Sequence, residues 1–140
     1  MHLTTSLRRS DLVTMADPAT EGVKALTLEE IIFHIVLHGG NARGEAYEAL
    51  DAAENFDFVT AEHHLKKADE ELAAGHRYQT ELVQTDSDNT HDTAAPFLVI
   101  HAQDHLMTAM AELNLIKRLV NNYRVIADLK TRVEKLEQAE

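Results

Sequence analysis

The sequence predicts an all-α fold, an antiparallel up-down-up three-helix bundle, and three observations carry that expectation. The chain is 44% hydrophobic but only 5% aromatic, with no tryptophan, and is rich in Ala, Leu and Glu, a composition suited to long helices. Its apolar residues recur at the helical period in three separate blocks. Each block opens on a residue type that starts helices. A length of 140 residues suits one domain with a core of moderate size.

Residues 1–22 read as a flexible N-terminal lead, and residues 23–140 as the helical domain. Arg8 and Arg9 form a pair, but no apolar segment follows them as an export signal requires. Met15 offers an alternative start within that lead.

The first helix is expected to begin after Thr27. Glu30 stands three positions on, so hydroxyl and carboxylate can each satisfy a backbone amide in a capping box. Ile31, Ile32, Ile35, Val36, Ala42, Ala46, Ala49 and Leu50 then follow a 3.6-residue period. Gly39, Gly40 and Gly44 fall inside it, each costing about 1 kcal/mol against alanine. One continuous helix is expected, its small residues letting a second helix approach closely.

Asp57 is a good N-cap for the second helix, which carries Phe58, Ala61, Leu65, Ala68, Leu72 and Leu82 on one face and is expected to end near Gln84. Residues 85–95, polar and turn-rich, read as a mobile loop. Pro96 suits the first turn of a third helix. There Leu113, Ile116, Val120 and Tyr123 are spaced like a coiled-coil seam, and Ile126, Leu129, Val133 and Leu136 repeat that spacing after a three-residue skip. At about 40 residues this helix is longer than the other two, so its end projects or finds a partner. Apolar residues on more than one of its stripes, Leu106, Met107 and Met110 among them, predict homo-oligomerisation.

Charge narrows the function. Thirteen basic against 24 acidic residues give a formal net charge of −11, which repels phosphate backbones and anionic lipid. Nucleic acid and membrane are thereby disfavoured as partners. Without cysteine there is no disulfide, thiolate ligand or cysteine nucleophile. The longest aliphatic run, residues 31–37, is too short for a bilayer. A soluble cytoplasmic protein is the expectation.

The segment LVIHAQDHLMTAM, residues 98–110, sets polar groups into an apolar helix. At 100° per residue, Asp104 lies about 60° to one side of His101 and His105 about 40° to the other, with Thr108 between them. Geometry leaves three readings open: a solvated stripe, a metal site, or phosphoryl and proton chemistry. An imidazole accepts and releases a phosphoryl group through a labile P–N bond near neutral pH, without a dedicated base.

The wording of the segment is more specific. Val99-Ile100-His101-Ala102-Gln103-Asp104-His105-Leu106-Met107-Thr108-Ala109-Met110 closely resembles the signature of enzyme IIA of the lactose, N,N'-diacetylchitobiose and cellobiose family of the bacterial phosphotransferase system. The resemblance runs from about Leu28 to Tyr123. It includes Gly40-Asn41-Ala42-Arg43 with Ala46-Tyr47-Glu48-Ala49-Leu50, Asp57-Phe58, and Ala74-Gly75-His76 with Gln79-Thr80-Glu81-Leu82. It implies a homotrimer of three-helix bundles that carries phosphate, a phosphotransferase component. His101 takes the phosphoryl group from phospho-HPr and passes it to the cysteine of enzyme IIB, for uptake of a β-linked disaccharide. Asp104 faces the threefold axis, where three carboxylates share one divalent cation, most simply Mg²⁺. The wording leans toward the diacetylchitobiose/cellobiose branch.

His105 and Thr108 are candidate phosphate-stabilising donors, and a structural role for His105 stands beside that one. His76 is a further candidate, or else an interhelical histidine. Both protein partners are expected to dock on apolar and small residues around His101, such as Met107 and Ala109. His63 and His64 read as a solvated face, Tyr47, Tyr78 and Tyr123 as interhelical packing, and Arg43 as half of an ion pair. The competing reading is a His/carboxylate metal-binding bundle without phosphotransfer, with ligands from His101, Asp104, His105, His34 and His38, or a purely structural trimeric adaptor.

Overall fold

A computed structural model describes residues 26–88 and 97–139, in three helices: α1 (Leu28–Glu54), α2 (Phe58–Asp88) and α3 (Phe97–Glu137). The lead at 1–22 and Pro96 lie outside the described residues. α1 opens on the expected capping box: Glu30 N–H donates to Thr27 Oγ1 (3.2 Å) and Thr27 N–H to Glu30 Oε2 (2.7 Å). It then runs unbroken through Gly39, Gly40 and Gly44.

The turn into α2 is three residues long and closes by backbone bonds, with Asn55 Nδ2 donating to the Asp51 carbonyl (2.8 Å). Asp57 N–H reaches Ala52 O (3.0 Å) and Phe56 N–H reaches Ala53 O (2.9 Å), the Schellman pattern. Phe56 holds the left-handed position, φ 59°, which usually falls to glycine; its ring lies under Lys130 Nζ, 5.2 Å away. Asp57 then caps α2, its Oδ1 accepting from Thr60 N–H (3.1 Å). These bonds to Thr60 hold the Asp57 carboxyl below its usual range.

Polar pairings fix the topology. His38 with Glu71 and His64 with Glu45 run α2 antiparallel to α1. Lys117 with Asp69 and Arg124 with Glu62 run α3 antiparallel to α2. Arg43 with Glu112 and Tyr123 with Glu54 make α1 and α3 parallel. The bundle is therefore up-down-up, with α1 packed along both neighbours.

The core is built largely of small side chains. At one end Ala46, Ala49 and Ala53 of α1 meet Ala61, Leu65 and Ala68 of α2, with Leu113, Ile116 and Val120 of α3. At the other, Ile31 and Ile35 meet Leu82, Ala102 and Leu106. Alanine seams bring helix axes close. Gly39 and Gly75 take this furthest: a β-carbon on Gly39 would stand 3.3 Å from the His105 carbonyl oxygen, and one on Gly75 only 2.6 Å from Leu106 Cδ1.

Several expectations need correction. α2 does not end near Gln84 but continues to Asp88, so only residues 89–96 separate it from α3, and these lie outside the described residues. His64 is not on a solvated face: its Nδ1 meets Glu45 Oε2 at 2.6 Å between α1 and α2. Tyr47 is 48% exposed rather than packed between helices. Tyr78 does pack there, stacked against both His34 (4.3 Å) and His38 (5.5 Å). Ile126, Leu129, Val133 and Leu136 do not continue the internal seam and are exposed beyond the bundle.

Two stability predictions follow from these contacts. Gly40 and Gly44 have nothing within 4 Å of an added β-carbon, so Gly40→Ala and Gly44→Ala should each raise stability by about 0.5–1 kcal/mol through helix propensity. Gly75→Ala should lower it by about 1–3 kcal/mol, because the fully buried Leu106 must move; urea denaturation midpoints check all three. The hydrogen bond from His38, then that from Asn41, holds the Glu71 carboxyl below the usual glutamate range. A lowered folded-state pKa adds stability that is present above the ordinary glutamate pKa and lost as pH falls through the folded value. Glu71→Gln should thus cost stability near neutral pH and flatten its decline on acidification, read from melting temperatures across that range.

Candidate functional site

The site is built on the first three turns of α3. His101 is exposed one turn in from Phe97, and the two rings lie parallel with centroids 6.1 Å apart. His105, half-buried, stands edge-on to His101 with centroids 4.6 Å apart and planes at 88°. Phe97, Ile100, His101, Gln103, Asp104 and Met107 line an open groove of about 410 Å³. One imidazole is thus held at the edge of an apolar depression, with its partner ring beside it.

What sets the height of this turn is the helix behind it. Gly39 lies against the backbone of His105 and Leu106. Leu106, fully buried, reaches over Gly75 of α2. Ala102 and Ala109 are also fully buried, so the segment turns an alanine and leucine face inward and its histidines outward. Ala109 is therefore unavailable to a docking partner, contrary to expectation, whereas Met107 is exposed.

Asp104 is exposed, on the groove. Among the described residues its carboxylate makes no ion pair or hydrogen bond. Free carboxylate oxygens without a cation of their own chain suit a hard divalent ion. Thr108 is differently placed: its hydroxyl donates to the Asp104 carbonyl (2.7 Å) and accepts from Arg43 Nη2 (3.0 Å). Both its roles are therefore filled within the bundle. Arg43 itself forks onto Glu112, through Nε at 2.8 Å and Nη2 at 2.9 Å, the expected ion pair in bidentate form.

His76 sits half-buried on α2, where Nδ1–H donates to the Leu72 carbonyl (2.9 Å). The sequence reading missed Gln103, which accepts from Gln79 Nε2 of α2 and so ties α2 to the groove. The signal was its place in the segment, about 100° around the helix from Asp104.

Among the described residues no three His, Asp or Glu side chains of one chain converge as a metal site, and His38 is engaged by Glu71. No helix among them is long and apolar enough to cross a membrane.

Comparison with known proteins agrees with this arrangement. Residues 30–124 match the family described as "PTS system, Lactose/Cellobiose specific IIA subunit". The lichenan-specific phosphotransferase enzyme IIA component of Bacillus subtilis (strain 168) is 43% identical over 101 residues, 72% of this chain and 91% of that one. Among solved structures, the cellobiose-specific enzyme IIA from Bacillus anthracis superposes with a TM-score of 0.68 at 35% identity, covering 75% of this chain and 95% of that one. The IIA(Chitobiose) of Escherichia coli, solved in complex with HPr, gives 0.63 at 30% identity over 74% of this chain and 99% of that one. The matched stretch contains the whole groove, His101 included, and the chain belongs to the lactose/cellobiose-specific IIA subunits of the phosphotransferase system.

Proposed function

We propose that the protein is a phosphohistidine carrier in sugar uptake, with His101 the residue that bears the phosphate. The observation that carries this reading is His101 itself, exposed at the edge of an apolar groove with His105 edge-on at 4.6 Å. A ring-nitrogen lone pair of His101 attacks the phosphorus of phospho-HPr. A P–N bond forms as the donor's P–N bond breaks, and the donor imidazole leaves. In the second transfer the cysteine thiolate of enzyme IIB attacks that phosphorus, and an S–P bond forms as the P–N bond to His101 breaks and its imidazole leaves. Such transfer rests on positioning and charge stabilisation, and His105 is the nearest side chain able to donate to the phosphate. His76 is a second donor in this scheme, whereas the engaged hydroxyl of Thr108 acts on the site through the backbone turn that it braces.

HPr as donor is supported by the E. coli relative solved with HPr. Both partners dock on the flank that carries His101 and the exposed Leu98. The sugar is a β-linked disaccharide of diacetylchitobiose, cellobiose or lactose type, and the carrier works in the cytoplasm without entering the membrane.

The working form in this proposal is a homotrimer with α3 central. Ile100, Met107 and Leu115 are exposed on one face of α3, and a thin bundle needs partners to cover them. Asp104 shares that face, so three copies gather three carboxylates that a divalent cation, most simply Mg²⁺, would hold together. When bound, the ion supplies charge neutralisation at the axis and no step of the transfer passes through it.

Two experiments test these statements. Incubation with phospho-HPr should load one acid-labile phosphate per chain on the wild type and none on His101→Ala. Because His101 is exposed, that variant should keep its stability within about 0.5 kcal/mol; full loading of the variant contradicts the assignment. Chelation should lower the melting temperature of the wild type, since an ion bound only by the assembly stabilises it by mass action. Asp104→Leu should melt independently of chelator yet sediment at about 47 kDa, three chains of 15.7 kDa.

A further inference from the structure

α3 continues well past the family domain, which ends at residue 124. Ile126, Leu129, Val133 and Leu136 are 47%, 49%, 51% and 71% exposed there. At 100° per residue these four fall within about 40° of Asp104 around the helix, as do Ile100 and Leu115. The centre of these four lies about 140° from the centre of Leu113, Ile116, Val120 and Tyr123, the residues that face the bundle. The three-residue step from Tyr123 to Ile126 thus moves the apolar seam from the inner face of α3 to its outer one.

We infer that residues 125–137 form a parallel coiled coil with the same segment of two further copies, continuing the face of Asp104 beyond the bundle. The inference rests on the trimer proposed above and adds to it an interface outside the family domain. From Leu115 the heptad is unbroken: Leu119, Ile126 and Val133 take position a, and Leu115, Asn122, Leu129 and Leu136 position d.

Charge selects a second copy in parallel. Arg132 falls at g and Glu137 at the following e, an attractive pair between neighbouring chains only when the helices run the same way in register. An antiparallel arrangement would set Arg132 near Arg132 and Lys130 near Lys130. Among the described residues of one chain Arg132 has only the loose i,i+4 contact with Asp128 at 3.8 Å, both side chains well exposed. β-branched residues at a with leucine at d suit two strands by themselves, so the bundles, and not the tail, impose the number three.

The chain has no cysteine, which makes a direct test simple in the full-length protein. Leu136→Cys should form an interchain disulfide on mild oxidation, whereas Glu134→Cys, at the outward b position, should not. Val133→Glu combined with Leu136→Glu should raise the protein concentration at which the trimer half-dissociates by at least about tenfold, with helicity unchanged. A wild-type trimer whose dissociation is unaltered by the double substitution, and whose Leu136→Cys form does not cross-link, overturns the tail interface and leaves the trimer standing. A wild type that sediments as a monomer overturns both.

Discussion

The structure depends on how closely its helices approach. Gly39 lets α1 lie directly on the His105 carbonyl, and Gly75 admits Leu106 into α2. With Ala102 and Ala109 buried on either side, the histidine-bearing turn of α3 is seated by backbone and small side chains rather than by long ones. Small residues have few rotamers to lose and give little when pressed. The imidazoles of His101 and His105 therefore project from a rigid floor, which is the preorganisation that a group transfer between proteins requires.

A floor of alanine and glycine leaves little interior. The large, fully buried side chains are only Ile31, Ile35, Leu106, Leu113 and Val120 among the described residues, and much apolar surface of α3 stays outside. The same economy that seats His101 thus exposes the Asp104 face. The seating of His101 and the exposure of the Asp104 face are two consequences of one packing choice, about 60° apart around the helix; in the proposed assembly the first meets other proteins and the second meets copies.

Much of this was legible in the sequence because the signals are local. Thr27 with Glu30, the N-cap Asp57 and the period of the apolar residues each act within a turn or two, and the helices start where those residues stand. The end of α2 was not legible. Thr85-Asp86-Ser87-Asp88 favours turns in isolation, yet extending a formed helix gains a hydrogen bond per residue without a new nucleus, and α2 runs to Asp88. Contacts between elements were equally hidden: His64 finds Glu45 19 residues away, and Gln103 is reached by Gln79 across the α2–α3 connection. Burial of Ala109 follows from the position of Leu106 and Leu113 on the inner face, which a reading of neighbours in sequence alone passes over.

Nine histidines stand in this chain, and one of them, His101, is proposed as the carrier. ¹⁵N-histidine NMR before and after loading with excess phospho-HPr reads all nine rings at once. One ring, His101, should acquire a phosphorus-coupled nitrogen, with His105 perturbed beside it and His34, His38 and His64 unchanged. A phosphorus-coupled nitrogen on any other ring, or none on His101 at full loading, would contradict that assignment.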